Sequence, residues 1–126
     1  MSVTRTFTVT VVSTDSGNKY FIDGVQQATV NLAEGFTYKF DQSDSSNSNH
    51  PLRFSTTDNG THSGGSEYTT GVTTSGTPGS SGAYTQITVA TSAPTLYYYC
   101  TNHSGMGGQA NTVEANTWGV LPWNRN

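Results

Sequence analysis

The most informative stretch of this 126-residue chain is Tyr97-Tyr98-Tyr99-Cys100-Thr101-Asn102-His103-Ser104-Gly105-Met106. Three side chains that can bind metals stand in it at three-residue intervals: the thiol of Cys100, the imidazole of His103 and the thioether of Met106. The aromatic run before Cys100 is typical of a β-strand, and glycines follow Met106. The stretch therefore predicts a strand that ends directly in a loop of potential metal ligands.

A fourth potential ligand, His50, lies far upstream in a polar segment. Two histidines and one cysteine in a trigonal plane, with a weak and long axial methionine, form the ligand set of blue-copper centres. A soft thiolate suits Cu(I), imidazole suits both oxidation states of copper, and a thioether binds weakly enough to tune the reduction potential. His50, Cys100, His103 and Met106 therefore indicate a site for one copper ion per chain.

Other chemistries fit these residues less well. A haem-attachment signature needs a second cysteine, and this chain has only one. Structural zinc sites usually use several cysteines, so zinc would have to recruit His62 or a carboxylate. Cys100 and His103 could form a nucleophile–base pair, but no oxyanion-hole motif or orienting carboxylate accompanies them, and Met106 would have no role. We therefore expect that the protein is not an enzyme.

Each potential ligand also has a purely structural alternative. Cys100 could be a buried core thiol and Met106 a core filler, since both residue types are common in protein interiors. His50 could be an ordinary polar loop residue, and His62 is interpreted as a solvated one. The glycines around Met106 leave little core for it to fill, and they favour a sharp turn or a close approach of the backbone to a metal.

Alternation of apolar and polar residues with a period of two dominates the rest of the chain. Residues 5–13, for example, place Phe7, Val9 and Val11 on one face. Seven or eight short strands with frequent turns predict an all-β Greek-key sandwich. Strand-like segments occur at residues 5–13, 19–22, 28–32, 36–40, 52–55, 83–90 and 96–100, with weaker ones at 68–73 and 109–115. Within residues 96–100, Tyr98 and Cys100 should share one face, with Tyr97 and Tyr99 on the other.

The ligand stretch resembles the ligand loop of the cupredoxins, the blue-copper family, in the short Cys-x-x-His-x-x-Met form of its amicyanin-like members. Residues 28–40, followed by a polar loop that contains His50, are similar to the way cupredoxins present their first ligand. The resemblance covers roughly residues 5–115. It implies that His50, Cys100 and His103 are equatorial ligands, that Met106 is axial, and that the two ligand loops meet at one end of the sandwich. Many cupredoxins tie these loops together through an asparagine after the first histidine, where this chain has Pro51.

The composition limits the possible partners. A charged content of 10% and a net charge of −3 provide no basic patch for nucleic acid or anionic lipid. No apolar run approaches the length needed for membrane insertion, and the N-terminus lacks the apolar core of a secretion signal. A chain of this length forms one core, so we expect one domain at residues 1–115. A copper carrier of this kind would be a soluble monomer that meets a redox partner protein transiently.

A tail at residues 116–126 contains both tryptophans, Trp118 and Trp123. Such rings either cover an open end of the domain or dock onto a second copy or another protein. The Thr-, Gly- and Ser-rich sequence, the run at residues 100–107 and the Trp-Gly tail are similar to cupredoxin-like modules in structural proteins of marine bacteriophages. This second resemblance implies an alternative function: a virion or surface building block that assembles with virion proteins, or as a homo-oligomer, through its loops and tail.

Overall fold

The alternating residues form two β-sheets that pack into a sandwich, so the prediction of an all-β sandwich is confirmed. The computed structural model describes residues 2–115. The strands are β1 (Arg5–Thr14), β2 (Gly17–Ile22), β3 (Val25–Gln26), β4 (Val30–Ala33), β5 (Thr37–Asp41), β6 (Leu52–Ser55), β7 (Glu67–Tyr68), β8 (Val72–Ser75), β9 (Tyr84–Thr88), β10 (Leu96–Cys100) and β11 (Gly108–Val113).

One sheet has the strand order β3-β2-β1-β5-β9-β8 and the other has the order β4-β11-β10-β6-β7. Both sheets are mixed, because β1 runs parallel to β5 and β4 runs parallel to β11, whereas the other pairs are antiparallel. Two 3₁₀ turns, Ser45–Asn47 and Gly60–Ser63, lie in the loops that flank β6. No helix within residues 2–115 has the length and apolarity to cross a membrane.

Aromatic rings from both sheets build the core. Phe7 and Phe40 stack within the first sheet at a centroid distance of 4.9 Å, and Phe40 meets Phe54 of the second sheet edge-on at 5.3 Å. Edge-on and offset-stacked pairs are the arrangements that aromatic rings prefer, and each contributes about 0.5–1.5 kcal/mol beyond burial. Tyr98 and Cys100 also belong to this core cluster, as expected from their common face on β10. These rings fix one sheet against the other.

The eleven strands found within residues 2–115 exceed the seven or eight expected, partly because β3 and β7 are only two residues long. The single strand predicted at residues 68–73 is wrong. Tyr68 pairs with β6 in one sheet, whereas Val72 pairs with β9 in the other, so the chain changes sheets between them. The last strand predicted from the sequence is present as β11, which pairs with both β10 and β4. Trp118 and Trp123 lie outside the described residues.

Candidate metal centre

The pairing of β10 with its two neighbours brings the predicted ligands to one end of the sandwich. β10 ends at Cys100, whose partner across the antiparallel ladder is Leu52, the first residue of β6. His50 stands two residues before that point, so its loop lies beside Cys100. β11 is antiparallel to β10 on the other side and pairs Gly108 with Tyr98. The loop of residues 101–107 therefore begins and ends at the same edge.

Three of the four predicted ligands come together. The Sγ atom of Cys100 lies 3.6 Å from Nδ1 of His50 and 3.8 Å from Nδ1 of His103. One ligand atom from each of the three residues lies within 4.8 Å of the other two. Cys100 and His50 are buried, with exposed fractions of 0% and 8%, whereas His103 is exposed. Within residues 2–115 this is the only group of three or more histidines, cysteines and acidic residues with such spacing.

These distances match the donor spacing of a bound transition metal. Metal–nitrogen bonds are about 2.0–2.1 Å long and metal–sulfur bonds about 2.3 Å. When the nitrogen–metal–sulfur angle lies between the tetrahedral and the trigonal value, these bond lengths place nitrogen and sulfur roughly 3.5–3.8 Å apart. The two observed distances, 3.6 and 3.8 Å, agree with that separation. The group of His50, Cys100 and His103, two of them buried and one exposed, can therefore bind a metal with little rearrangement of its ligand atoms.

Met106, the fourth predicted ligand, has an exposed fraction of 1% and belongs to the same core cluster as Cys100. The expectation that the glycines around it leave little core to fill is therefore wrong. Its carbonyl accepts a hydrogen bond from the backbone nitrogen of Tyr20 at 2.9 Å. Tyr20 is on β2, so this bond fastens the end of the ligand loop to the opposite sheet. Met106 is thus held at the inner side of the loop that contains Cys100 and His103.

The glycines of the loop have distinct conformational roles. Gly105 has a φ of +77°, which a glycine adopts without steric cost and which turns the chain sharply, as predicted. A Cβ atom on Gly107 would lie 1.7 Å from the carbonyl oxygen of Tyr98. The close approach made possible by Gly107 is therefore to the backbone of β10. Lys19 Nζ and Gln27 Nε2 donate to the carbonyls of Gly105 and Gly107 at 2.7 and 2.8 Å, which holds the loop against the β2–β3 hairpin.

His50 is positioned through its backbone. Its carbonyl oxygen accepts hydrogen bonds from Tyr20 Oη at 2.6 Å and from Gln42 Nε2 at 2.7 Å. Gln42 is buried, and its Oε1 accepts from the backbone nitrogen of Leu52 at 3.0 Å. Gln42 thus brackets the loop from both sides of Pro51. Sequence reasoning missed Gln42 and Tyr20, because a polar residue after a strand and an aromatic within one carry no sign of such a role.

Two hydrogen bonds tie the ligand loops to each other. The backbone nitrogen of Thr101 donates to the carbonyl of Pro51 at 3.1 Å, and Asn102 Nδ2 donates to the carbonyl of Asn49 at 2.9 Å. Pro51 cannot supply the side-chain link that many cupredoxins obtain from an asparagine at this position. In this protein an asparagine of the other loop, Asn102, makes a cross-loop link instead.

The electrostatic environment favours protonation states that suit metal binding. Burial, reinforced by the nearby His103, lowers the pKa of His50, so its imidazole is more fully neutral at pH 7, and only neutral imidazole binds metals. Burial also raises the pKa of Tyr20 well above its usual range, and the adjacent Cys100 adds to the effect. The hydroxyl of Tyr20 therefore stays protonated and can donate to the carbonyl of His50.

His62 does not belong to the ligand group. It is exposed, as expected for a loop residue, but its Nε2 lies 2.8 Å from the carbonyl oxygen of Cys100. No carboxylate within residues 2–115 joins the group either. The recruitment of His62 or an acidic residue that a zinc site would need is thus absent from the described part of the chain.

Comparison with protein-family models and with curated proteins found no match to this chain.

Proposed function

We propose that His50, Cys100, His103 and Met106 form a type 1 copper site and that the protein is a cupredoxin-like carrier of single electrons. The observation that supports the proposal most strongly is the spacing of one thiol sulfur and two imidazole nitrogens, at 3.6 and 3.8 Å. Copper in such a ligand set changes between Cu(I) and Cu(II) by one electron, at a potential tuned by the axial ligand and by the surroundings of the sulfur.

The kinds of donor favour copper over zinc. A structural zinc site closes its tetrahedron with four strong ligands, and the group here provides three, all from His50, Cys100 and His103. The remaining soft donor in the same core cluster is the thioether of Met106, which suits copper better than zinc. Met106 would then complete the set as a weak fourth ligand.

The surrounding residues suit electron transfer. Hydrogen bonds from Tyr20 and Gln42 hold the carbonyl of His50, and the hydrogen bond from Thr101 to Pro51 holds the backbone next to Cys100. The metal-binding atoms would therefore keep their places when the charge of the site changes. His50 and Cys100 are shielded from water, whereas His103 is exposed. A redox partner protein would therefore approach the centre at His103. Four protein ligands would leave no open position for a substrate, which favours a carrier over an enzyme.

Titration of the metal-free protein with Cu(II), followed by visible absorption, tests this proposal. We expect an intense blue thiolate-to-copper band that saturates at one equivalent, disappears in Cys100→Ser and is lost or altered in His50→Ala. The control is His62→Gln, which removes the histidine outside the ligand group and should keep the band. An unaltered protein that binds Cu(II) without this band, or does not bind it, would overturn the proposal.

A further inference from the structure

His62 is the one histidine of three that the proposed copper site does not use. Its Nε2 lies 2.8 Å from the carbonyl oxygen of Cys100. Because a carbonyl oxygen only accepts hydrogen bonds, Nε2 of His62 must be the donor. An exposed imidazole thus donates a hydrogen bond directly to the backbone of Cys100, the residue that supplies the thiol.

The peptide group that follows Cys100 is held on both sides. Its carbonyl accepts from His62 at 2.8 Å, and its nitrogen, which belongs to Thr101, donates to the carbonyl of Pro51 at 3.1 Å. The plane of this peptide sets the direction in which the chain leaves β10. A change in its tilt would rotate the Cα–Cβ bond of Cys100 and move Sγ relative to the two imidazoles.

The 3₁₀ turn that contains His62 packs tightly on β10. The imidazole meets the ring of Tyr99 edge-on, at a centroid distance of 6.3 Å and an angle of 85°. A Cβ atom on Gly60 would lie 2.5 Å from the same ring, so only glycine fits there. The turn therefore covers the outer face of β10 beside Cys100, and His62 is attached to a fixed support.

Asn59, the residue before this turn, holds the other end of the ligand loop. Its Oδ1 accepts from the backbone nitrogen of Gly105 at 2.8 Å, and its Nδ2 donates to Oγ of Ser104 at 3.0 Å. Residues 59–62 therefore contact the loop on both sides of His103, at Cys100 and at Ser104–Gly105. Two independent sets of hydrogen bonds converge on the same ligand segment.

We propose that His62 is a positioning residue of the metal centre, which fixes the backbone of Cys100 through its hydrogen bond so that the thiolate stays directed toward His50 and His103. Asn59 steadies the far end of the same loop. The proposal rests on the proposed copper site for its effect on the metal. Its effect on the reactivity of Cys100 does not need a metal.

A matched pair of substitutions separates the hydrogen bond from ring packing. His62→Phe keeps a ring against Tyr99 and loses the donor, whereas His62→Gln keeps a donor at about the same reach and loses the ring. We expect His62→Phe to bind Cu(II) roughly 10-fold more weakly and to shift the thiolate-to-copper band. His62→Gln and the control Ser63→Ala, a change at an exposed neighbour, should match the unaltered protein. The reverse order of effects would assign His62 a packing role and overturn the proposal.

Alkylation of Cys100 in the metal-free protein tests the same bond independently of copper. Cys100 is fully buried, so iodoacetamide reaches it only when the loop opens locally. We expect alkylation to be several-fold faster in His62→Phe and unchanged in His62→Gln. Equal rates in the unaltered protein and both variants would overturn the proposal. A protein without a copper band but with this pattern of rates would refute the copper site and leave the positioning role of His62 intact.

Discussion

At the scale of single residues, Gln42 positions the proposed metal ligand His50 through the backbone carbonyl of that residue. Its amide nitrogen donates to the His50 carbonyl and to Oδ1 of Asn47, and its amide oxygen accepts from the nitrogen of Leu52. Gln42 is 1% exposed. A buried amide needs such hydrogen bonds, because leaving its polar atoms or those of its partners without them is costly. The loop before β6 is thus shaped by the residue that directly follows β5.

Replacing Gln42 with leucine should destabilise the metal-free protein by about 1–3 kcal/mol. The backbone nitrogen of Leu52 would lose its hydrogen bond to Oε1 of Gln42, and the carbonyl of His50 would lose one of its two side-chain donors. Urea denaturation measures this change. Gln26→Leu, at an exposed position of β3, is the control and should stay within about 0.5 kcal/mol of the unaltered protein. Equal stability of both variants would contradict the bracketing role of Gln42.

Gly107 is constrained by space and not by its backbone dihedral angles. Alanine there would place Cβ 1.7 Å from the Tyr98 carbonyl oxygen, so the ligand loop would have to move away from β10. We expect Gly107→Ala to lose about 3 kcal/mol or more of stability and to weaken Cu(II) binding. The control is Gly24→Ala, because Gly24 has a φ of +82° but open space around its Cα. This variant should lose about 1–2 kcal/mol of stability and bind copper like the unaltered protein. Similar copper affinities in the two variants would contradict this explanation.

At the scale of secondary-structure elements, the 3₁₀ turn Ser45–Asn47 links the first sheet to the His50 loop. Asn47 is buried, donates from Nδ2 to the carbonyl of Val9 at 2.7 Å, and accepts the backbone nitrogen of His50 at its own carbonyl at 2.8 Å. The turn begins with Asp44 as its N-cap, whose carboxylate accepts from the backbone nitrogen of Ser46. The cap therefore supports the segment that leads to His50.

The hydrogen bonds from the hydroxyl and the backbone nitrogen of Ser46 lower the pKa of Asp44. A carboxylate whose pKa is lower in the folded than in the unfolded state stabilises the fold above its unfolded pKa, near 3.9, and loses this contribution as the pH falls through the folded pKa. We expect the loss of stability below about pH 4 to be less steep in Asp44→Asn, which cannot titrate. Asp58→Asn is the control. Identical pH profiles of Asp44→Asn and the unaltered protein would contradict this role.

The sequence predicts the strands well and their pairing poorly. The period of two locates β1, β2, β5, β6, β9 and β10, because alternation reports which side of a strand is buried. It does not report to which sheet a strand belongs. The prediction of one strand at residues 68–73 failed for that reason, because Tyr68 and Val72 lie in different sheets. The candidate ligands His50, Cys100, His103 and Met106 were recognisable by residue type. The residues that hydrogen-bond to their backbone, such as Gln42 at His50 and His62 at Cys100, were not, since long-range hydrogen bonds leave no local pattern.

At the scale of the whole molecule, the described surface of the sandwich offers little for apolar assembly. The large hydrophobic side chains exposed within residues 2–115 are Val3, Val12 and Val25, with exposed fractions of 36%, 40% and 53%. Stable interfaces depend on a buried cluster of large anchors, and three valines are small ones. Trp118 and Trp123, which lie outside the described residues, are therefore the main candidates for such anchors in this chain.

Sedimentation equilibrium distinguishes the electron carrier from the assembling building block. We expect the unaltered chain and the double variant Trp118→Ala/Trp123→Ala to sediment alike as 13.4-kDa monomers, because a carrier must release its redox partner after each transfer and gains nothing from a permanent interface. An oligomer that forms with increasing concentration and dissociates in the double variant would contradict this expectation. In that case the tail would supply the anchors that the sandwich surface lacks, and the building-block function would become the better explanation. The copper titration of the same two proteins then shows whether assembly and metal binding are independent, which they should be if the tail does not contact the ligand loops.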